Sequence, residues 1–163
     1  MIIQRIRRFF ITLVLKERSS TQLAFSFCMG IYIAFSPWIG FHTLMTFVVV
    51  WFLGLNLAVT FAGSCLLHNP WTTVPIYGID YVFGEWLLKK MCGLDTLSMN
   101  PSWMASINAP LQTYLGLSNI SFWSFVVGGN VLGIVISVAL YPVMKRLFAK
   151  LIAEVHDAAG IQG

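Results

Sequence analysis

The sequence predicts an all-α fold, namely a polytopic helical membrane protein with proline-broken or re-entrant segments. Of the 163 residues, 58% are hydrophobic and 10% are charged, whereas soluble domains carry about 25% charged residues. The placement of the charges points the same way, since neither 19–79 nor 96–144 contains an Asp, Glu, Lys or Arg. Uncharged stretches of that length do not build a surface that faces water.

The distribution of charge also excludes several classes of function. The basic residues flank the apolar region, as Arg5, Arg7, Arg8, Lys16 and Arg18 before it and Lys145, Arg146 and Lys150 after it. Such clusters are typical of cytoplasmic anchors against anionic lipid and not of a nucleic-acid-binding face. The three cysteines form no CxxC pair, so no metal site is expected. No catalytic motif stands out, and we expect neither an enzyme nor a cofactor.

The first segments are a basic start and two apolar stretches. Residues 1–18 place apolar side chains at helical spacing, which predicts an amphipathic helix on the membrane surface; an extension of the first span is the alternative. Segment 20–36 is shorter than the roughly 20 residues of a full span, so it is either a tilted span or half of a re-entrant hairpin. Segment 41–62 is long enough to predict a full span.

The second half of the chain predicts two more spans, 70–88 and 121–143. The loop 92–118 between them carries one acidic and no basic residue, which places it outside the cytoplasm. The membrane domain is therefore expected to cover 19–150, and 151–163 to form a tail.

This arrangement of spans predicts that both termini are cytoplasmic. Lys89 and Lys90 would then lie on the outer side, against the usual bias of basic residues. A re-entrant 20–36 is the alternative that moves them inside. Small residues that let helices approach closely are expected at Gly30, Gly40, Gly54 and Gly63.

The centre of the predicted architecture is a proline-rich interruption at 63–77. Pro70 and Pro75 each lack an N–H and clash with the preceding turn, so the helix is expected to break there. A similar break is expected at Pro37, with Gly40 turning the chain. Irregular backbone at membrane depth must be buried in protein or line a cavity. We therefore predict a polar, substrate-binding site made by His42, His68, Asn69, Thr72, Thr73 and Asp80.

Each of these residues also has a structural interpretation. The side chains of His68 and Asn69 can satisfy carbonyl groups that Pro70 leaves without partners. An ionisable residue in a membrane segment, such as Asp80, indicates a functional role. The structural alternatives are a location at the membrane–water interface and a pair with Lys89 or Lys90. His42 is either a proton relay or a hydrated residue at the interface.

Several motifs carry a resemblance to a known family. They are the basic start, MGIYIAFSPWIGFHT at 29–43, GLN at 54–56, HNPWTTVPIY at 68–77 and Gly84. Over about residues 5 to 145 the chain thereby resembles a bacterial membrane family known as domain of unknown function 2062. His42 departs from the glutamine associated with its position in that family, which puts a shared amide role there in doubt.

The resemblance implies a location in the bacterial inner (cytoplasmic) membrane and no settled activity. Some relatives look fused behind glycosyltransferase domains that act on lipid-linked substrates, which implies a role near lipid carriers or envelope assembly. Two function classes follow. One is a small transporter or translocase of a lipid-carrier or envelope-related substrate, which with so few spans is expected to form a homo-oligomer. The other is a non-transporting membrane scaffold for a glycosyltransferase or another envelope-synthesis enzyme.

Overall fold

The structure, a computed structural model, describes residues 19–37, 41–67, 70–95, 97–115 and 120–159. Helices and turns make up these residues, and no strand occurs within those ranges. The predicted all-α class is therefore confirmed for the described chain. The amphipathic helix predicted at 1–18 lies outside the described residues.

Six α-helices occur in the described ranges: α1 (Ser20–Phe35), α2 (His42–Leu53), α3 (Leu57–Leu67), α4 (Pro70–Glu85), α5 (Met104–Leu115) and α6 (Phe122–Ala159). A π-helical segment, Trp86–Met91, extends α4. The chain divides into two compact units. Among the described residues, the first unit comprises 19–34, 41–67 and 133–159, and the second comprises 35–37, 70–95, 97–115 and 120–132.

The central helix of the first unit is α1. Its buried side chains cover more than half of the helix circumference, and they are Leu23, Ala24, Ser26, Cys28, Ile31, Ile33 and Ala34. A Cβ on Gly30 would collide with the Thr60 carbonyl oxygen, and one on Gly63 would lie 2.5 Å from the Phe27 carbonyl oxygen. The backbones of α1 and α3 thus touch, which confirms the predicted packing role of Gly30 and Gly63.

A hairpin of two short helices, α2 and α3, replaces the single span predicted at 41–62. Gly54 ends α2 in the left-handed conformation, with φ 62°, and its N–H donates to the Val50 carbonyl. Asn56 then starts α3, because its side-chain oxygen accepts the Val59 N–H at 3.1 Å. The predicted span is wrong because a glycine just past one helix and an asparagine cap before the next divide it. Gly54 is a turn residue, and not the packing surface that was predicted.

Contacts with α1 fix the direction of this hairpin. The Gln22 side-chain amide donates to the Gly54 carbonyl at 3.1 Å, and the Asn56 N–H donates to Ser26 Oγ at 3.0 Å. The glycine contact described above lies further along both helices. Therefore α1 and α3 run parallel, and α2, which joins them in the chain, runs in the opposite direction. With 12 and 11 residues, α2 and α3 are about 18 and 16 Å long, less than a bilayer core of about 30 Å.

The last helix, α6, continues well past the predicted span and passes through Pro142. Ring centroids of Phe148 and Phe27 lie 6.2 Å apart. This pair is part of an apolar cluster that also includes Leu23, Val59, Leu151, Ile152 and Val155. The stretch 151–163 was predicted to be a helix end and a tail; the helix extends to Ala159, and its apolar side chains before that residue are partly buried in this cluster.

Among the described helices, α6 is the one long and apolar enough to cross a membrane, over Phe122–Asp157. Only 17% of the apolar window that identifies it is buried within the protein. The core helix of a soluble domain buries most of such a window, whereas α6 leaves apolar side chains such as Val135 and Val138 exposed.

Prolines separate the other helices only in part as predicted. Helix α3 ends at Leu67 and α4 begins at Pro70, in agreement with the expected helix end there, since proline suits a first helical position. However, α4 continues through Pro75, so the break predicted at that residue is wrong. Pro75 lies near the helix start, and its missing N–H removes the single bond to the Trp71 carbonyl.

Candidate functional site

One face of α4 carries a row of polar and small residues. Thr73, Tyr77, Asp80 and Gly84 follow one another at intervals of four, three and four residues, which places them on one side of an α-helix. Thr73 and Tyr77 are half-buried, and Asp80 and Gly84 are buried. The exposed residues on the other sides are mostly apolar, namely Trp71, Val74, Pro75, Gly78, Ile79 and Val82.

This face meets the start of α6 at backbone contact distance. A Cβ on Gly84 would collide with the Ser124 carbonyl oxygen, and one on Gly128 would collide with the Asp80 carbonyl oxygen. Each helix thus presents a pair of positions four residues apart, Asp80 with Gly84 and Ser124 with Gly128. Because position 80 pairs with 128 and 84 with 124, the two helices are antiparallel. Side chains at both glycines would force the helices apart.

The Asp80 carboxylate lies inside this contact. The residue is 0% exposed, and neither carboxylate oxygen has a hydrogen-bond partner among the described residues. A Cβ on Gly129 would lie 3.4 Å from Asp80 Oδ2 and would collide with the Phe35 carbonyl oxygen. The carboxylate is therefore enclosed by the backbone of α6 and the end of α1.

One structural interpretation paired Asp80 with Lys89 or Lys90, but Lys89 does not form that pair. It pairs with Glu85, four residues earlier on the exposed side. The Lys89 ammonium group donates a hydrogen bond to the Glu85 carboxylate. Lys90 is exposed, whereas Asp80 is buried within the protein.

An enclosed carboxylate of this kind has a limited chemistry. Transferring an ionised carboxylate into an apolar environment is so costly that such groups neutralise, pair or coordinate a cation. Asp80 can therefore hold a proton or a monovalent cation. No group of three or more His, Cys, Asp or Glu that could bind a metal ion occurs in the described chain.

Aromatic and hydroxyl side chains continue the face on one side of Asp80. The rings of Tyr77 and Phe125 meet edge to face, with centroids 5.1 Å apart. Thr73 lies two helical turns before Asp80 on the same face, and Thr72 precedes it; both are half-buried. The structure thus places Thr73 and Asp80, two of the predicted site residues, in one row.

The remaining predicted site residues do not join this row. His68, Asn69 and Gly40 lie outside the described residues. His42 belongs to the first unit and is buried, with 5% exposure, so the hydrated interfacial histidine of one interpretation is wrong. Pro37 lies in the bend that follows α1, as the predicted break there requires.

Sequence reasoning missed the glycines that enclose Asp80. Gly84, Gly128 and Gly129 form its surroundings together with Ser124. The signal that could have found them is the spacing of small residues, Ser124-x-x-x-Gly128, in an apolar segment. Nothing in the sequence indicates, however, that this pair faces Asp80 and Gly84 on another helix.

A second polar feature holds the beginning of α6. The Asn100 side chain accepts the Phe122 N–H at 2.8 Å and donates to the Ile120 carbonyl at 3.0 Å. The Asn108 side chain donates to the same carbonyl at 3.1 Å and accepts the Ile120 N–H at 3.0 Å. These bonds satisfy backbone groups that a helix start leaves without partners. Beside them lies an open cavity of about 410 Å³ lined in part by Asn100, Asn108 and Gln112.

Comparisons with known proteins identify the family of this chain. A search of curated proteins and one of solved structures give no significant match. One family profile matches residues 3–155, which is nearly the whole chain and includes both units described above. The chain therefore belongs to the bacterial family described as uncharacterized protein conserved in bacteria (DUF2062).

Proposed function

We propose that this protein is a small polytopic transporter or translocase of the bacterial cytoplasmic membrane, with Asp80 as its coupling group. The observation that carries the proposal is the fully buried Asp80 carboxylate, which has no hydrogen-bond partner in the described chain. A structural role would not require a charge, because serine or alanine fits a close helix contact at a lower cost. A carboxylate that gains and loses a proton or a cation explains why an acid occupies this position.

Exposed apolar side chains support the polytopic membrane location. On α2 they form a broad surface made by Leu44, Phe47, Val48, Trp51 and Phe52. Patches of that kind mark contact with lipid or with another protein. Helix α4 and its π-helical extension together cover 22 residues, 70–91, about 33 Å, which is enough for a second crossing beside α6.

The orientation and substrate class of the proposal come from charge and family. The second half of α6 carries the basic residues Lys145, Arg146 and Lys150, which favours a cytoplasmic C-terminus. We propose that both termini lie on the cytoplasmic side. A lipid-carrier or envelope-related substrate is proposed because the family resemblance implies lipid-linked chemistry. A homo-oligomer would complete the transport path.

The experiment follows a fluorescent prenyl phosphate in proteoliposomes that contain the full chain. Movement between leaflets is measured by adding a membrane-impermeant quencher. Wild-type protein is expected to accelerate this movement, and Asp80→Asn to reduce the rate at least tenfold while it keeps its helical circular dichroism. Glu85→Gln is the matched control, since it also removes a carboxylate from α4, but a partly exposed one that pairs with Lys89, and it should retain the wild-type rate.

Two results would contradict the proposal. One is a wild-type protein that leaves both prenyl phosphate movement and proton flux at the level of empty liposomes. The other is an Asp80→Asn protein that transports as fast as the wild type. The second result shows that the carboxylate is not the coupling group, even where transport itself is found.

A membrane scaffold is the second candidate function, favoured by the cavity beside the start of α6. The exposed Gln112 offers an amide group there for a partner such as a glycosyltransferase or another envelope-synthesis enzyme. The scaffold function predicts that Asp80→Asn works normally in cells, whereas Gln112→Lys abolishes crosslinking to the partner enzyme. The transporter function predicts that Asp80→Asn fails in cells and that Gln112→Lys leaves crosslinking unchanged.

A further inference from the structure

The first unit contains an apolar groove between α1 and the second half of α6. Its volume is about 500 Å³. On α1 it is lined by Phe25, Cys28, Met29 and Tyr32, and on α6 by Ile134, Ser137, Val138 and Tyr141. The Ser137 hydroxyl donates to the Cys28 carbonyl at 2.9 Å, which satisfies the polar group at the floor. The surface offered to an occupant is therefore almost entirely apolar.

A single basic side chain continues the groove on α6. Ile134, Val138, Tyr141 and Lys145 follow at intervals of four, three and four residues, so Lys145 lies on the same face, one turn beyond Tyr141. Lys145 is exposed. Lys150 is also exposed, but five residues further it lies on another side of the helix. One end of the groove thus carries a positive charge, and the rest of it carries none.

The length of this row matches one leaflet of a bilayer. From position 134 to 145 the helix rises by about 16 Å, and half of the hydrocarbon core is about 15 Å thick. A lipid whose acyl chain filled the groove would therefore place its headgroup phosphate at the level of Lys145. We propose that the groove between α1 and α6 binds an anionic glycerophospholipid, with its chain between the helices and its phosphate at Lys145.

This inference does not rest on the proposed transport function, because the groove belongs to the first unit and Asp80 to the second. Its basis is an apolar groove that ends in one cation, which complements an apolar chain that ends in one anion. A basic side chain near a headgroup contributes about 1 kcal/mol toward anionic lipid, so the preference over a zwitterionic lipid of the same chains is expected to be about fivefold.

The test is a competition between phosphatidylglycerol and phosphatidylcholine with identical acyl chains. The intact full-length protein is released from detergent in a mass spectrometer, and the retained lipids are counted. Val138→Trp should fill the groove and lower the retention of both lipids several-fold. Lys145→Gln should keep the retention but bring the preference for phosphatidylglycerol close to one.

Matched controls separate the groove from its surroundings. Val135→Trp places the same side chain on α6 at an exposed position outside the groove, and Lys150→Gln removes a basic side chain from another face. Both should bind lipid as the wild type does. Equal retention by Val138→Trp and Val135→Trp would overturn the proposal, as would a wild-type preference near one. A change in oligomeric state with Val138→Trp would assign the groove to a second copy of the chain instead.

Discussion

Two helix contacts in this protein use the same packing device and differ in one side chain. In the first unit, Gly30 and Gly63 bring α1 and α3 together, and in the second unit Gly84 and Gly128 do so for α4 and α6. At the first contact the buried Thr60 hydroxyl donates to the Asn56 carbonyl of its own helix at 3.0 Å. At the second contact, beside the buried Ser124, lies the buried Asp80 carboxylate.

The difference shows how a packing contact can be distinguished from a functional one. A hydroxyl in an apolar helix satisfies itself on the preceding turn, so it adds little cost and requires no further explanation. A carboxylate has no hydrogen to donate when ionised, and its burial costs several kcal/mol unless a partner is present. We therefore interpret the first contact as structural and the second as the place where structure serves a function.

The largest loss of stability is expected from a glycine-to-alanine substitution at either helix contact. Gly30→Ala and Gly84→Ala each place a methyl group against a backbone carbonyl oxygen, and overpacking of this kind costs about 3 kcal/mol. The free energy of unfolding in detergent measures both losses. Gly78→Ala is the control on α4, because a methyl group there meets no described atom. Similar stability for Gly84→Ala and Gly78→Ala would show that α4 and α6 are not in contact.

A smaller effect is expected at the start of α6, where the second unit uses side-chain amides. Asn108→Ala removes two hydrogen bonds and leaves the Ile120 N–H without its partner, at a cost of about 2 kcal/mol. Unfolding followed by circular dichroism gives the value. Ser102→Ala, at an exposed position in the turn before α5, should change stability by less than about 0.5 kcal/mol.

The turn of the α2–α3 hairpin depends on the left-handed backbone conformation of Gly54 in addition to the side-chain hydrogen bonds around it. Gly54→Ala forces a residue with a Cβ into the left-handed region, which costs about 1 kcal/mol or slightly more. Gly54→Asn should cost less, because asparagine tolerates this conformation. The unfolding midpoints of the two variants, measured side by side, check the order. A Gly54→Ala protein more stable than the wild type would indicate a continuous helix across 41–62.

The smallest effects on stability are expected from substitution of the buried Thr60 and Asp80, and the two effects should have opposite directions. Thr60→Val removes a hydrogen bond and should destabilise the first unit by about 1 kcal/mol. Asp80→Asn removes a charge that lacks a described partner, and the free energy of unfolding should stay equal or rise by up to about 1 kcal/mol. A strong loss of stability with Asp80→Asn would mean that the carboxylate has a structural partner and would remove the distinction between the contacts.

Much of the fold could be predicted from composition and from prolines. The uncharged stretches predict apolar helices, and Pro70 marks the start of one because it suits a first turn. The division at Gly54 was missed although its signals are present, since GLN at 54–56 contains a helix-ending glycine and the asparagine that caps α3. A helix break was wrongly predicted at Pro75, because a proline near a helix start removes one hydrogen bond and does not end the helix.

The site could be predicted only as far as single residues allow. Asp80 stands out as an acid in an apolar segment, and Thr73 follows from its neighbourhood. The enclosure by Gly84, Gly128 and Gly129 depends on which two helices meet and in which register. That pairing is a tertiary property, and small residues at a spacing of four are present in several segments of this chain.

The most direct test of the central claim is labelling of Asp80 by dicyclohexylcarbodiimide in intact membranes. This apolar reagent adds to protonated carboxyl groups, and it can reach a fully buried one only when the helices open. The account predicts one adduct at Asp80, found by mass spectrometry of the digested protein, formed faster as the pH falls and absent in Asp80→Asn. A protein that stays unlabelled at Asp80 across the pH range, while a water-soluble carbodiimide modifies the partly exposed Glu85, would contradict the account and identify a closed structural contact.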